Sequence, residues 1–200
     1  YIQRTNKNGV DLGGRRIIKK KTTQGELVKL VPMTTNNTAQ SGLYGARSGY
    51  GRYEYRADKS WAMTDTNGIT YVYGASVRDR EQSNTNSDNI SMWYLSSMTD
   101  TSGNKIEYVY EKSDSGRVYP RSILYGDGMY RVTFEYKTGI IDKLAYLLGT
   151  KIDFAAGLRA KADRQLQSIG IVVNAESVLT YTLNSNNTDP KLTKYNIGSI

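Results

Sequence analysis

The chain has 200 residues, no cysteine, no histidine and a net charge of +8. Those absences exclude disulfide scaffolds, thiolate or imidazole metal sites and cysteine or histidine catalysis, so enzymatic chemistry would fall to carboxylates, lysine or tyrosine. No apolar run approaches the roughly 18 residues of a membrane span, and the first residues do not read as a basic-then-apolar leader. The charge is lopsided: residues 1–60 hold 12 of the 27 Lys and Arg but only 4 of the 19 Asp and Glu, so the remaining 140 residues are neutral overall. Aromatic area comes mainly as tyrosine, 17 against 2 Trp and 2 Phe, which suits sheets with one semi-exposed face.

Residues 1–26 read as short extended pieces separated by turns at Asn8-Gly9, Gly13-Gly14 and Gln24-Gly25. Ile17-Ile18 and Leu27–Val31 lean toward strand, the second ended by Pro32. The basic run Arg15–Lys21 suits either phosphate binding or a solvated strand edge on which lysine blocks edge-to-edge pairing. No stacking aromatic lies within it, so nucleic acid is not the expected partner. The tract Thr34–Gly51 is polar, glycine-rich and aperiodic, and reads as a long loop or linker. Tyr44, Tyr50, Tyr53 and Tyr55 interleave with Arg47, Arg52 and Arg56, a mixture seen on ligand-binding surfaces and equally on a Tyr-rich strand edge. Two segments are expected: a basic, Gly/Asn-rich one over 1–57 and a hairpin module over 58–200.

In the second segment, Trp61–Met63 and Tyr71–Tyr73 flank Asn67-Gly68, the strongest short hairpin signal, expected as a type I′ turn. Arg78–Asn89 has no apolar anchor and reads as a mobile loop. The organising stretch is 93–136. Turn clusters at Asp100–Asn104, Ser115-Gly116 and Gly126–Gly128 separate alternating runs, and Tyr130, Val132, Phe134 and Tyr136 share one side of the clearest strand. An inexact repeat links the two hairpins: Trp61, Asp65, Gly68, Tyr71 and Tyr73 correspond to Trp93, Asp100, Gly103, Tyr108 and Tyr110. Such repetition marks hairpins stacked along a continuous sheet rather than one closed fold. Ile140–Leu148 follows the turn at Thr138-Gly139. Lys151–Ser168 has helix-forming residues, but Gly149, Gly157 and the surrounding pattern favour strand or turn. Leu166–Val173 and Leu179–Leu183 form a hairpin across Asn174–Glu176; Asn184–Pro190 is a loop and Leu192–Ile200 a last strand.

Asp65 and Asp100 are the tempting carboxylate pair, but Asp before x-x-Gly is what a β-turn wants, and Asp127 between glycines reads the same way. Ser83–Asn89 holds one carboxylate, Asp88, too few for calcium, and Gly45–Gly51 lacks the Lys-Ser/Thr of a phosphate loop. No catalytic residue, cofactor or metal is expected. Trp61 and Trp93 suit packing against neighbouring strands or stacking on sugars.

The run Asp100-Thr-Ser-Gly103-Asn104-Lys-Ile-Glu-Tyr108-Val-Tyr110 resembles the tyrosine-aspartate (YD, or RHS) repeat. The series continues through Tyr119-Pro120-x-x-Ile123-x-Tyr125, Val132-x-Phe134-Glu-Tyr136, Leu166-x-x-Ile169 and Leu179-Thr-Tyr181-x-Leu183. With Trp61–Gly74 before it, that order is similar to the SpvB-type domain that begins the B components of Tc insecticidal toxins, over about residues 58–200. Where the family carries Arg-Pro-Asp after the F-E-Y strand, this chain has Gly139-Ile-Ile-Asp142. The resemblance implies an all-β fold of successive antiparallel hairpins in an extended, curved sheet. It also implies a secreted or cell-surface, non-catalytic module of a β-shell that encloses or carries a toxic effector, with other β segments or subunits as partners. Neither a propeller nor an ADP-ribosyltransferase motif is recognisable, so only the scaffold role carries over. A secreted adhesin or carbohydrate-binding module is the alternative.

Overall fold

The computed structural model describes residues 2–5, 17–21, 27–35, 37–38, 41–46, 51–83, 85–138, 152–155, 158–161, 163–185 and 195–199. Among them there is no α-helix; the chain is built of antiparallel strands, as its alternation predicts. The first set is β1 (Ile2–Thr5), β2 (Ile17–Lys21), β3 (Leu27–Pro32), β4 (Gly42–Ala46), β5 (Arg52–Tyr55), β6 (Trp61–Thr64) and β7 (Thr70–Tyr73). A 3₁₀ turn, Val77–Asp79, leads to β8 (Arg80–Gln82), β9 (Ile90–Trp93) and β10 (Leu95–Thr99). Then come β11 (Lys105–Lys112), β12 (Val118–Tyr125), β13 (Tyr130–Thr138), β14 (Ile152–Ala155), β15 (Leu158–Lys161), β16 (Arg164–Val173), β17 (Glu176–Ser185) and β18 (Tyr195–Ser199).

Sixteen strands form one sheet in the order β18-β17-β16-β13-β12-β11-β10-β7-β6-β5-β4-β3-β2-β1-β9-β8, and β14-β15 form a separate hairpin. The hairpins β6–β7 and β10–β11 lie side by side, Tyr71 opposite Met98, as the internal repeat implied. The sheet also crosses position 57 without a break, Tyr55 pairing with Trp61.

The order contains a topological fact that the repeat did not reveal. β9 and β10 are separated only by Tyr94, yet they lie eight places apart in the sheet. The strands from β10 through β7 and β1 to β9 must therefore curl round on themselves, helped by the right-handed twist of antiparallel strands. Tyr94 pins the closure: its N–H donates to the Asp79 carbonyl at 2.8 Å, and its own carbonyl accepts from Gly74 N–H at 2.7 Å. Inside the curl pack Ile2, Leu30, Tyr53, Trp61, Met63, Tyr73, Ile90 and Trp93. The sheet is the extended, curved succession of antiparallel hairpins that was expected; in this half it curls far enough to enclose a core, whereas β11–β13 and β16–β18 continue as an open sheet.

Several local expectations are also corrected. Thr34–Gly51 is not all loop, because β4 pairs with both β3 and β5, and Asn37 closes the turn before it by exchanging amide bonds with Leu43 at 2.8 and 3.0 Å. Arg78–Asn89 contains the 3₁₀ turn and β8, and Asp79, Arg80 and Glu81 within it are buried and hydrogen-bonded rather than solvated. Lys19–Lys21 lie on an inner strand, β2 being paired on both sides, so an edge-guarding role is excluded. At Asn67-Gly68 only Gly68 has positive φ, +79°, so the turn is type I followed by a left-handed glycine, not type I′. The turns at Asn8-Gly9, Gly13-Gly14 and Gln24-Gly25, the segment Ile140–Leu148 and Asp142 lie outside the described residues.

Candidate functional site

One turn geometry recurs four times. In Asp65–Ile69, Asp100–Asn104, Ser113–Arg117 and Arg56–Ser60 the first residue donates its N–H to the fifth residue's carbonyl. Its own carbonyl accepts from the fourth residue, all at 2.9–3.2 Å. The fourth residue is left-handed each time: Gly68, Gly103, Gly116 and, without glycine, Lys59 at φ +67°. The two aspartates serve their own turns. Asp65 Oδ1 accepts from Asn67 and Ile69 N–H at 2.9 and 3.0 Å, and the Tyr71 hydroxyl donates to its Oδ2 at 3.3 Å. Asp100 Oδ1 accepts from Ser102 and Asn104 N–H, both at 2.9 Å, and the Asn104 amide donates to Oδ2 at 2.7 Å. The Asn104 side-chain bond, foremost, holds the Asp100 carboxyl below the usual carboxylate range. These carboxylates are turn-makers, each engaged within its own hairpin. Among the described residues no group of three His, Cys, Asp or Glu is placed to hold a metal ion.

Trp61 and Trp93 do not occupy equivalent places before two hairpins. Trp61 pairs with Tyr73 inside its hairpin, whereas Trp93 belongs to β9 and faces Ile2 and Arg80. They meet edge to face, centroids 6.2 Å apart at 86°, with Tyr55 and Tyr44 packed on Trp61 at 4.9 and 5.1 Å. Both are fully buried, which removes them as sugar-stacking platforms. Trp93 Nε1 donates to the Lys59 carbonyl at 2.8 Å. Gly74 permits this packing, because a Cβ there would collide with the Trp93 ring.

Polar groups tie the curled half to the open one. Arg80, buried, donates to the Gly74 and Asp58 carbonyls at 2.6 and 2.7 Å. Buried Glu81 accepts from the Tyr94 hydroxyl at 2.8 Å and faces Arg117 at 3.6 Å, while Lys112 reaches the Gln82 carbonyl at 3.4 Å. Burial, reinforced by Glu81, pushes the Tyr94 hydroxyl far above its ordinary value. Further along, the Tyr119 hydroxyl accepts from Asp163 N–H at 2.8 Å and donates to its carboxylate at 3.0 Å. Arg164 stacks over the Tyr119 ring and pairs with Glu111. Tyr136 leans on Tyr119 at 5.2 Å, and its hydroxyl is pushed up to about 12, first by burial and then by Glu111. Tyr110, buried, donates to the Leu95 carbonyl at 2.7 Å. Pro120 faces it at a bulge, where a residue without N–H is tolerated.

The residues that sequence reasoning left unconnected form one surface. Cross-strand partners run Tyr53–Met63–Tyr71–Met98–Ile106–Tyr125–Tyr130–Val173 from β5 to β16. A second row adds Tyr108, Ile123, Val132, Ile171 and Leu179, and Phe134 joins through Ile169 to Tyr181. Partners in an antiparallel pair share a face, so this is a single apolar face. At one end Tyr53 is 3% exposed, covered by the curled strands; at the other Tyr125 and Tyr130, stacked at 5.0 Å, are 41% and 39% exposed.

The described residues thus form a long antiparallel sheet, curled round a core at one end and continuing as an open sheet at the other. Residues 48–130 match the family model described as SpvB, Salmonella virulence plasmid 65kDa B protein, the resemblance to which the motif order pointed. The N-terminal domain of the effector protein SpvB from Salmonella typhimurium strain LT2 shares the fold at TM-score 0.74 and 16% identity, over 97% of this chain and 83% of that one. A crystal structure of TcdB2-TccC3-Cdc42 matches at 0.67 and 14%, over 92% of this chain and 12% of that chain. A Photorhabdus luminescens Tc holotoxin pore structure matches at 0.62 and 14%, over 94% and 12%. This chain therefore spans about an eighth of the Tc chains. None of the curated proteins matches it.

Proposed function

We propose that this chain is a non-catalytic structural module of a secreted YD/RHS-type toxin protein, forming part of a β-shell around or beside a toxic effector. One observation carries the reading: an apolar face passes without interruption from a closed core onto a single-layer wall that nothing covers among the described residues. An enzyme of this size would spend such a face on its own second layer. A wall keeps it for what lies inside or alongside. The partners are then other β segments or subunits of the assembly together with the cargo, and the site of action is outside the producing cell. The SpvB-domain fold and the shared fold with Tc proteins support this reading.

The test is to purify the natural assembly through a tag on this chain and compare its amide exchange with that of the isolated chain. Strands β11–β13 and β16–β17 are expected to gain protection in the assembly, with a co-purified effector resisting protease until the assembly is dissociated. A chain that purifies alone, with exchange unchanged on those strands, overturns the reading. Saturable binding to a glycan panel would favour the adhesin instead.

A further inference from the structure

Between β13 and β16 the chain takes a longer path than its pairing requires. Thr138 and Arg164 are cross-strand partners, so a two-residue turn would join them. Residues 139–163 intervene instead, and within them β14 and β15 form a hairpin of their own, Ile152 opposite Lys161 and Ala155 opposite Leu158. Where the chain returns to the sheet it is tied to the open half. The Tyr119 hydroxyl accepts from Asp163 N–H at 2.8 Å and Arg164 N–H at 3.3 Å, and donates to the Asp163 carboxylate at 3.0 Å. The Arg164 guanidinium lies 5.4 Å from the centre of the Tyr119 ring and pairs with Glu111.

From that root the hairpin reaches the other half of the molecule, where β15 rests against β8, the last strand of the curl. Among the described residues β8 is bonded along one side only, to β9. An end strand ordinarily shows its free side to water. Arg80 and Glu81 are nevertheless only 5% and 2% exposed. Lys112 and Arg117, reaching the Gln82 carbonyl and Glu81 from the β11–β12 hairpin, provide part of that cover.

We propose that the β14–β15 hairpin is a strap that supplies the rest: rooted on the open half at Tyr119, it lies across the end of the curl and holds β8 in place. It adds no bonded strand to the large sheet, so it can lift without breaking a ladder, and opening of the curl at β8 begins with it. A strand that carries buried charge depends on such cover, because Arg80 and Glu81 are stable there only while their partners stay fixed. The strap does not depend on the shell reading; it keeps the core of the free chain shut whatever lies on the open face.

Replacing residues 139–163 by Asn-Gly gives β13 and β16 the two-residue turn that their register allows. In this shortened chain the amides of Arg80, Glu81 and Gln82 are expected to exchange at least about tenfold faster than in the parent, with β6–β7 unchanged, because only the local opening is made easier. Tyr119→Phe in the full chain, which keeps the ring but takes away the hydroxyl that holds Asp163, should quicken the same three amides by a smaller factor. Exchange on β8 equal to the parent's in the shortened chain overturns the proposal, and so does a rise shared equally by β6–β7, which marks a general loss of stability. If the shortened chain does not fold, Tyr119→Phe decides alone: β8 amides that exchange as in the parent then overturn the strap.

Discussion

The curled half and the open half of this sheet are built from the same materials, and they differ in what stands opposite. In both, tyrosine, methionine and branched residues alternate with polar ones, and the row from Tyr53 to Tyr130 belongs to a single face. In the curled half β1 and β9 return to cover that row with Ile2, Ile90 and Trp93. In the open half the same kind of residue is left half in water, and the few buried groups, Tyr110, Val118 and Tyr119, sit where polar ties fold the β11–β12 hairpin toward β8 and β16. Alternation decides which face is apolar. Curl decides whether that face becomes a core.

The sharpest way to break the comparison is to remove one large side chain from each half. Trp93→Ala empties the centre of the curl and orphans the Lys59 carbonyl, so a loss of about 3–5 kcal/mol is expected from urea unfolding. Phe134→Ala, on the open face between Val132 and Tyr136, removes a side chain that is only partly buried and is expected to cost about 1–2 kcal/mol. Equal costs would mean that the open face is covered in the free chain, and the distinction between halves would fail.

Gly74→Ala is the next largest. It strains a left-handed backbone at φ +64° and drives a methyl group into the Trp93 ring, for an expected cost of about 2 kcal/mol or more. Trp93 fluorescence should shift with it, since the ring must move to make room. A variant as stable as the parent would show that the Trp61–Trp93 pair does not lock the curl.

Strand identity and the hairpin order over 58–138 were legible because period-2 alternation and D-x-x-G turns are local signals. So was the structural role of Asp65 and Asp100, whose spacing from glycine already says what the carboxylate does. The curl was not legible, because it depends on β9 pairing with β1, a contact spanning most of the first hundred residues that no local pattern encodes. The repeat even pointed the wrong way at Trp93, by setting it beside Trp61 in register when it sits across the core from it. Burial of Arg80 and Glu81 ran against composition, since charged residues enter a core only with partners such as the Gly74 carbonyl and Tyr94. The turn at Arg56–Ser60 was hidden by Lys59, a residue that does not advertise a left-handed backbone.

That last turn sharpens the comparison at smaller scale. In the curled half Lys59 is held at positive φ because Trp93 grips its carbonyl and Asp88 its ammonium group, the latter at 2.8 Å. Gly103 has no such support and nothing within 4 Å of a Cβ position. Gly103→Ala therefore isolates the backbone cost, expected at about 1 kcal/mol, and Gly103→Asn should recover part of it. If alanine is free at 103, the left-handed requirement there is not real.

The smallest effect concerns the neighbouring carboxylate and is best read as a titration. Asp100 lies below its ordinary value chiefly because the Asn104 side chain donates to it, with the Asn104 and Ser102 amides adding to the effect. A carboxyl depressed in the folded state contributes stability that is present above its unfolded value and is lost as pH falls through the folded one. Asn104→Ala removes the leading donor but leaves the turn amides, so the Asp100 carboxyl should titrate closer to an ordinary aspartate while remaining below it. The carboxyl carbon shift followed by NMR against pH reads this directly, and the part of the acid fall in stability linked to Asp100, which begins at the unfolded value in both proteins, should be smaller and end at higher pH in the variant. Because the turn is exposed, the change should stay local, leaving the Trp61–Trp93 core signals where they were. An Asp100 titration indifferent to Asn104 would mean that the backbone amides alone hold the charge, and that the Asn of the D-x-x-G-N turn acts through its left-hand neighbour's conformation rather than through its side chain.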